Sequence, residues 1–408
     1  MFCKNREKIE GREAIVVTGL GSYLLTDTLE CGQCFRHVRL HPAEGSRNRL
    51  GAICENYVEY MTVVEDELIF VGQRERGELL FFDMSDECFE RLAVPYFSLD
   101  TDYRVIKDSI ISSTSSDFLK KAADVAEGIR ILRQSQWETL FSFIISQNNN
   151  IPRIKKIIRN IALAYGENLA VKHGLAACPI ALGEGRVTSC KEGRATPCGV
   201  TTGEATAGGA TPGGVTTCEP TTGEATIGGA TVSGERRAAA CKVTTGEATT
   251  GGVAPGGVSD RKCDLSAGGI DTDACLLCGA CYSFPTAGMV ADAPELLLPS
   301  HPGFRYKYLV DAAERVSSGA IDLDDIRAHG SYEYTLSELM KIKGVGEKVA
   351  SCTSLFAFSN LEAFPIDVWM RRAIDEYFGG ELDPKALGPY AGVAQQYIFH
   401  YIRILNGI

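Results

Sequence analysis

The chain has 408 residues, 45% of them hydrophobic, which is enough for two or three domains with real cores. Its formal net charge of −11 excludes nonspecific coating of nucleic acid by a uniformly basic surface, though not a local basic face, because phosphate binding draws chiefly on Lys and Arg. With no apolar run of about eighteen residues and no apolar signal region in MFCKNREKIEG, neither a membrane span nor secretion is expected; 15 scattered Cys suit reduced thiols in a cytosolic compartment better than a disulfide framework.

From Ala14 to about Tyr103 the pattern is strand-like. Ala14–Val17, Tyr57–Val64 and Leu68–Val71 are alternating or β-branched runs, and Glu65-Asp66-Glu67 reads as a hairpin loop, so an antiparallel sheet domain is expected over 1–105. Within it Cys31-Gly32-Gln33-Cys34 spells C-x-x-C, but neither an adjacent helix nor a second pair supports a redox or zinc role. From Ser116 the period turns helical, giving a first helical part over 106–170. Ser135 caps a helix running through Ile145, with Trp137, Leu140, Phe141 and Ile144 on one face. After Asn148-Asn149-Asn150, Pro152 sits in the first turn of a helix turning Ile154, Ile157, Ile158 and Ile161 inward and Lys155, Lys156 and Arg159 outward.

The composition then shifts to Thr, Gly, Ala and Val, with TTGEAT at Thr201, Thr221 and Thr244. Such a tract has too few large apolar side chains to offset the chain entropy lost on folding, so 171–280 is expected to be a mostly disordered insertion, with a β-solenoid as the alternative. Cys275, Cys278 and Cys281 close it, and no metal site is expected there. A helical region follows over 281–408. Thr335 and Glu338 have capping-box spacing for a helix from Leu336 to about Lys341, Gly344 and Gly346 break it, and a second helix fits Glu347 to Phe358 with Val349, Cys352, Leu355 and Phe356 on one face. Glycines beside a helix N-terminus make an anion site, for which a nucleic-acid phosphate is suited. Asp367 is placed to cap a helix from Val368 to Phe378, and the last helix contains Pro389 to Phe399.

Ile342-Lys343-Gly344-Val345-Gly346, Lys348, Ala350 and the later Pro365-Ile366-Asp367-Val368 resemble the helix-hairpin-helix and "GPD" signature of base-excision DNA glycosylases. Together with Gly32-Gln33-Cys34-Phe35-Arg36, Asn148-Asn149-Asn150-Ile151 with Arg153, Tyr282-Ser283-Phe284-Pro285-Thr286 and Gly303-Phe304-Arg305, they are similar to the 8-oxoguanine DNA glycosylase family over roughly 1–170 and 281–408. The resemblance implies an α+β fold, in which an N-terminal antiparallel β-sheet domain precedes all-α helix-hairpin-helix glycosylase domains (hairpin unit 335–358) interrupted by the low-complexity insertion. It implies a bifunctional glycosylase and AP lyase acting as a monomer on double-stranded DNA with 8-oxoguanine opposite cytosine, without cofactor or metal, cytoplasmic or nucleoid in a bacterium and nuclear in a eukaryote.

The roles it implies are specific. Lys348 is the amine nucleophile and Asp367 the carboxylate that steadies a developing sugar cation. The Gly32 carbonyl accepts N7–H of the oxidised base, Gln395 pairs with its Watson–Crick edge, and Phe399 and Cys352 wall its faces. Asn148 fills the gap left by the extruded base, Arg153 and Arg305 reach the orphaned cytosine, and Phe304 is an aromatic wedge. Gly344 and Gly346 approach a phosphate. Trp369 stands where relatives carry a phosphate-binding His, and Phe356 stands near the expected pocket mouth. Without the resemblance, each is accounted for more plainly, Gly32 as a turn glycine, Lys348 as a solvated lysine, Gln395 as a surface residue and Phe399 as a core residue. The alternatives are a helix-hairpin-helix glycosylase for another lesion and a noncatalytic DNA-binding or Cys-based regulatory protein.

Overall fold

A computed structural model describes residues 2–9, 11–40, 57–172 and 278–407. The Thr/Gly-rich tract from 173 to 277, including Cys275, lies outside the described residues. Among the described residues flanking it, the Ser283 amide donates to the Glu167 carbonyl (2.9 Å) and Asn168 bridges Tyr282 in antiparallel fashion.

Six strands form one antiparallel sheet in the order β1-β2-β6-β5-β4-β3, where β1 is Cys3–Ile9, β2 Arg12–Thr18, β3 Val38–Arg39, β4 Val58–Val64, β5 Glu67–Gln73 and β6 Leu79–Phe82. Side chains alternate faces along a strand, and both faces are buried. Ile15, Val17, Ile69, Val71, Leu79 and Phe81 pack on Phe89, Leu92, Phe97 and Leu132. On the opposite face Val16, Met61, Phe70, Leu80 and Phe82 lie under Ala170, Ala280 and Cys281. The hairpin between β4 and β5 turns on two residues, Glu65 (φ +48°) and Asp66 (φ +61°), and Glu67 belongs to the strand.

The strand-like reading up to Tyr103 fails beyond Phe82. Ser85 caps a helical stretch from Asp86 to Tyr96, whose apolar side turns onto the sheet. β1 was not apparent in the sequence because it is a charged edge strand, with Lys4 and Arg6 paired to Asp86.

The second core is helical. It joins α2 (Gln136–Ser146), α3 (Ile151–Tyr165), α4 (Tyr306–Ser317), α5 (Tyr332–Leu339), α6 (Glu347–Ala357), α7 (Val368–Tyr377) and α8 (Ala391–Leu405), whereas α1 (Leu25–Glu30) buries Leu25 and Leu29 in the sheet core. Phe141, Ile144, Ile154, Ile158, Leu309, Leu339, Leu355 and Ile398 share this core. Ser135 caps α2 and Asn150 caps α3. α5 begins a turn earlier than expected, since Ser331 caps it and the Thr335 hydroxyl, buried within the helix, donates back to the Ser331 carbonyl. α8 begins only at Ala391, because Gly388 (φ +73°) breaks the preceding 3₁₀ segment Pro384–Tyr390. No helix among the described residues is long and apolar enough to cross a membrane.

Candidate active site

The hairpin between α5 and α6 is anchored from below and open above. Ile342 and Val345 are buried, while Lys343, Gly344 and Gly346 are exposed. Gly344 has φ +81°, and a Cβ there would overlap the Tyr308 ring, so this position disfavours a side chain on two grounds. The Lys343 amide donates to Asp311 Oδ2 (2.8 Å). Gly346 is the N-cap of α6, with nothing within 4 Å of the place a Cβ would take. No side chain among the described residues caps this helix start, which leaves the first-turn N–H groups without an intrahelical or capping partner.

Lys348 extends from that first turn. Its Nζ lies 3.5 Å from Ser146 Oγ and 5.3 Å from the centre of the Phe143 ring, both on α2. Cys352, one turn further along α6, is buried, and burial pushes its thiol pKa up; the Lys348 ammonium pulls it down and the Asp367 carboxylate pushes it up. Cys352 thus lies within electrostatic reach of both expected catalytic groups. Asp367 is the N-cap of α7, accepting from the Met370 amide at 2.8 Å. No ion pair within 4.0 Å joins Lys348 to Asp367 among the described residues, so the amine is not locked in a salt bridge.

Gly32 sits in the loop after α1 with φ +88°. The place of its missing Cβ is 3.6 Å from Ile151 Cδ1 and 3.9 Å from Phe399 Cε1, which brings the expected base-recognition glycine and the expected stacking ring side by side. No hydrogen bond to the Gly32 carbonyl occurs among the described residues. The next residue is fastened hard. Gln33 Nε2 donates to the carbonyls of Thr28 and Arg130 (2.7 Å each), its Oε1 accepts from the Leu132 amide (2.8 Å), and its own carbonyl accepts from Gln134 Nε2 (2.8 Å). Gln395, one turn before Phe399 on α8, is buried and its Oε1 accepts from Gln396 Nε2 at 2.7 Å. α8 reaches this position because Gly392 lets it close against Leu355 of α6.

The three consecutive Asn have divided roles. Asn149 Nδ2 donates to the Ile145 carbonyl (3.1 Å) and Asn150 Oδ1 accepts from the Arg153 amide (3.0 Å), so both hold the loop. Asn148 is exposed in the left-handed region (φ +47°), with no hydrogen bond to its side chain among the described residues. Phe304 is 51% exposed and Arg153 is exposed as well.

Arg305 departs from the expectation that it reaches outward. It is buried, its guanidinium donating to the carbonyls of Gln147 (Nε, 2.8 Å), Asn148 (Nη2, 2.9 Å) and Pro302 (Nη1, 3.1 Å) and stacking on Phe304 at 4.5 Å. The cause is the end of α2, whose orphan carbonyls need donors and whose dipole favours a cation. Lys155, expected outward, is half-buried against His37. Phe356, expected near the pocket mouth, is buried and stacks on Phe143 with ring centroids 5.5 Å apart.

The C-x-x-C pair forms no disulfide. Burial pushes the Cys31 thiol up to about 11, and the two thiols donate to the Thr28 (3.3 Å) and Leu29 (3.6 Å) carbonyls. No group of His, Cys, Asp or Glu able to hold a metal ion occurs among the described residues. Sequence reasoning missed Ser146 and Phe143, and it met Tyr308 only as the end of the Gly303–Tyr308 segment, without its contact to Gly344. Ser146 is detectable only as the residue closing α2 before the Asn run, and nothing local marks Phe143.

Comparison with known proteins gives consistent results. The family model "8-oxoguanine DNA glycosylase, N-terminal domain" matches residues 17–140. The chain is similar to the N-glycosylase/DNA lyase of Saccharomyces cerevisiae, 29% identical over 160 residues (37% of this chain, 39% of that one), and to a probable N-glycosylase/DNA lyase of Methanothermobacter thermautotrophicus, 31% identical over 111 residues (25% and 35%). These matches span under two fifths of either relative. Over the whole chain, the structure resembles that of MBOgg1 in complex with a low-affinity DNA ligand (TM-score 0.62, 25% identity, 100% of this chain and 99% of that one). It also shares its fold with the Clostridium acetobutylicum 8-oxoguanine glycosylase/lyase bound to duplex DNA with cytosine opposite 8-oxoguanine (TM-score 0.61, 24% identity, 100% and 99%).

Proposed function

The chain belongs to the 8-oxoguanine DNA glycosylase family, and from that premise we propose that it excises 8-oxoguanine from duplex DNA and then nicks the strand as an AP lyase. The observation that carries this reading is the placement of Lys348 and Asp367. Both lie at helix N-termini within electrostatic reach of the same thiol, Cys352, without being paired to each other.

Chemistry on a base within a duplex requires extrusion, at a cost of a few kcal/mol. Phe304 and Asn148, exposed on the rim, suit the wedge and gap-filling parts, while Arg153 supplies charge beside them. The extruded purine meets Phe399 on one face, Cys352 on the other and the Gly32 carbonyl at its N7 edge. Guanine carries a bare acceptor at N7 and 8-oxoguanine an N–H, so one backbone acceptor separates them. The uncharged amine of Lys348 attacks C1′ as the C1′–N9 bond breaks, and the base leaves with the bonding electrons and takes up a proton. Asp367, whose carboxylate accepts from the Met370 amide, opposes the positive charge developing on the sugar. Ring opening gives a Schiff base on Nζ, and loss of a 2′ proton then expels the 3′ phosphate by β-elimination.

Borohydride trapping on duplexes carrying 8-oxoguanine opposite each of the four bases tests this. A covalent adduct is expected, strongest opposite cytosine, and absent in Lys348→Gln. An adduct that persists in that variant removes Lys348 as the nucleophile.

A further inference from the structure

Gly32 bridges two cores. Cys31 is buried in the helical core and Cys34 in the sheet core, so the loop between them crosses the seam and its direction is not set by apolar packing on either side. One flank is fastened by Gln33 and Gln134. On the other flank three side chains stand in a row. Lys155 Nζ is 2.8 Å from His37 Nε2, and His37 Nδ1 is 3.2 Å from Cys34 Sγ. An ammonium only donates, so Nε2 accepts, the ring proton sits on Nδ1, and that N–H points at Cys34. The Cys34 thiol in turn donates to the Leu29 carbonyl at 3.6 Å, in the last turn of α1. The donors run in one sense from α3 to α1. His37 is buried, with Tyr60 edge-on at 6.0 Å, and Tyr60 donates to Glu30 Oε1 at 3.1 Å. α3 also supplies Ile151, one turn before Lys155, which lies against Gly32.

We propose that Lys155, His37 and Cys34 form a polar pin across the seam that orients the Gly32 carbonyl, so that Lys155 and His37 are positioning residues for recognition of the extruded base. This rests on the glycosylase reading above. Burial pushes both Lys155 and His37 towards their neutral forms, which costs stability that an apolar seam would not lose. What the polar row adds is direction. Lys155 and Ile151 place the pin and the floor of the recognition loop on the helix that follows Asn148, so the loop expected to fill the DNA gap and the loop expected to read the base are set by one element.

The test splits two reactions of the same protein. Excision of 8-oxoguanine opposite cytosine needs the Gly32 carbonyl, and cleavage at a preformed abasic site does not. In Lys155→Met, single-turnover excision is expected to fall about tenfold while abasic-site cleavage stays within about twofold, the scale of one charge-assisted hydrogen bond. Lys155→Arg restores most of the excision, and nitrogen-15 spectra report an Nδ1–H tautomer of His37 in the parent that is lost in the Met variant. His37→Asn, smaller but still polar, gives the same split and serves if the Met variant does not fold. Equal loss of both reactions, or no loss of excision, overturns the pin alone. A parent chain that cleaves abasic DNA but leaves 8-oxoguanine untouched overturns the base reading and the pin with it.

Discussion

Replacing Gly32 by Ala separates the fold from the recognition of the base. At φ +88° an L residue pays about 1–2 kcal/mol in steric strain. The new methyl meets Ile151 Cδ1 at 3.6 Å and Phe399 Cε1 at 3.9 Å, ordinary van der Waals distances that add no overpacking. The loss of stability is therefore the strain alone, which lowers the thermal midpoint by about 1–3 °C in a chain of this size. Function loses more. The loop relieves the strain by rotating the peptide, and its carbonyl then leaves the N7 edge unpaired. An unmade buried hydrogen bond of about 1–3 kcal/mol corresponds to roughly 5–150-fold in the excision rate. Single-turnover excision from an 8-oxoguanine:cytosine duplex measures the second quantity, and urea unfolding measures the first. Excision at the parent rate in a folded variant refutes the acceptor role of the Gly32 carbonyl, and a loss above about 4 kcal/mol refutes the open space inferred around it.

Asp367→Asn keeps a good N-cap and removes the charge, so stability is expected to stay within about 0.5 kcal/mol while excision falls by orders of magnitude, read by parallel urea and gel assays. Gly344→Ala combines φ strain with overlap of the Tyr308 ring, for an expected loss of about 2–4 kcal/mol; Tyr308→Ala in the same chain returns the overlap part, so a double-mutant cycle without coupling contradicts the packing described. For His37, burial pushes the pKa well below its ordinary value and the Lys155 charge acts the same way. Below about pH 6.5 the unfolded chain takes a proton that the folded chain refuses, so this stability is present above that pH and lost as pH falls, with a slope of at most about 1.4 kcal/mol per unit. His37→Phe removes that slope in urea titrations, and an unchanged slope means that the ring is already protonated in the fold.

The helices around the site were legible because their signals are local. Ser135 before an apolar period of three and four, and Pro152 in a first turn, specify α2 and α3 without knowledge of the partner they pack on. β1 carries no such signal, since CKNREKI is an edge whose side chains remain in water. The start of α5 was misplaced because both Ser331 and Thr335 have capping chemistry, and only burial of Thr335 decides between them. Among the site residues, the sequence distinguishes residue type and spacing but not direction. Nothing in Gly303-Phe304-Arg305 says that the Phe faces solvent and the Arg turns in to the carbonyls of Gln147 and Asn148. That outcome depends on where another helix ends.

The same distinction divides the site itself. Lys348 and Asp367 stand in the first turn and at the cap of their helices, where backbone geometry fixes the Cα–Cβ direction and the helical core fixes the helix. Gly32 and Asn148 stand in loops at left-handed φ, oriented by side-chain hydrogen bonds from Gln33, Gln134, Asn149 and Arg305. A polar bond lost from a loop redirects a carbonyl or amide without moving a helix, whereas a large void in the helical core displaces both helix ends at once. Substitutions at the loop fasteners therefore alter which base is taken while sparing cleavage of an abasic site, and substitutions at core positions such as Leu355 lower both reactions together.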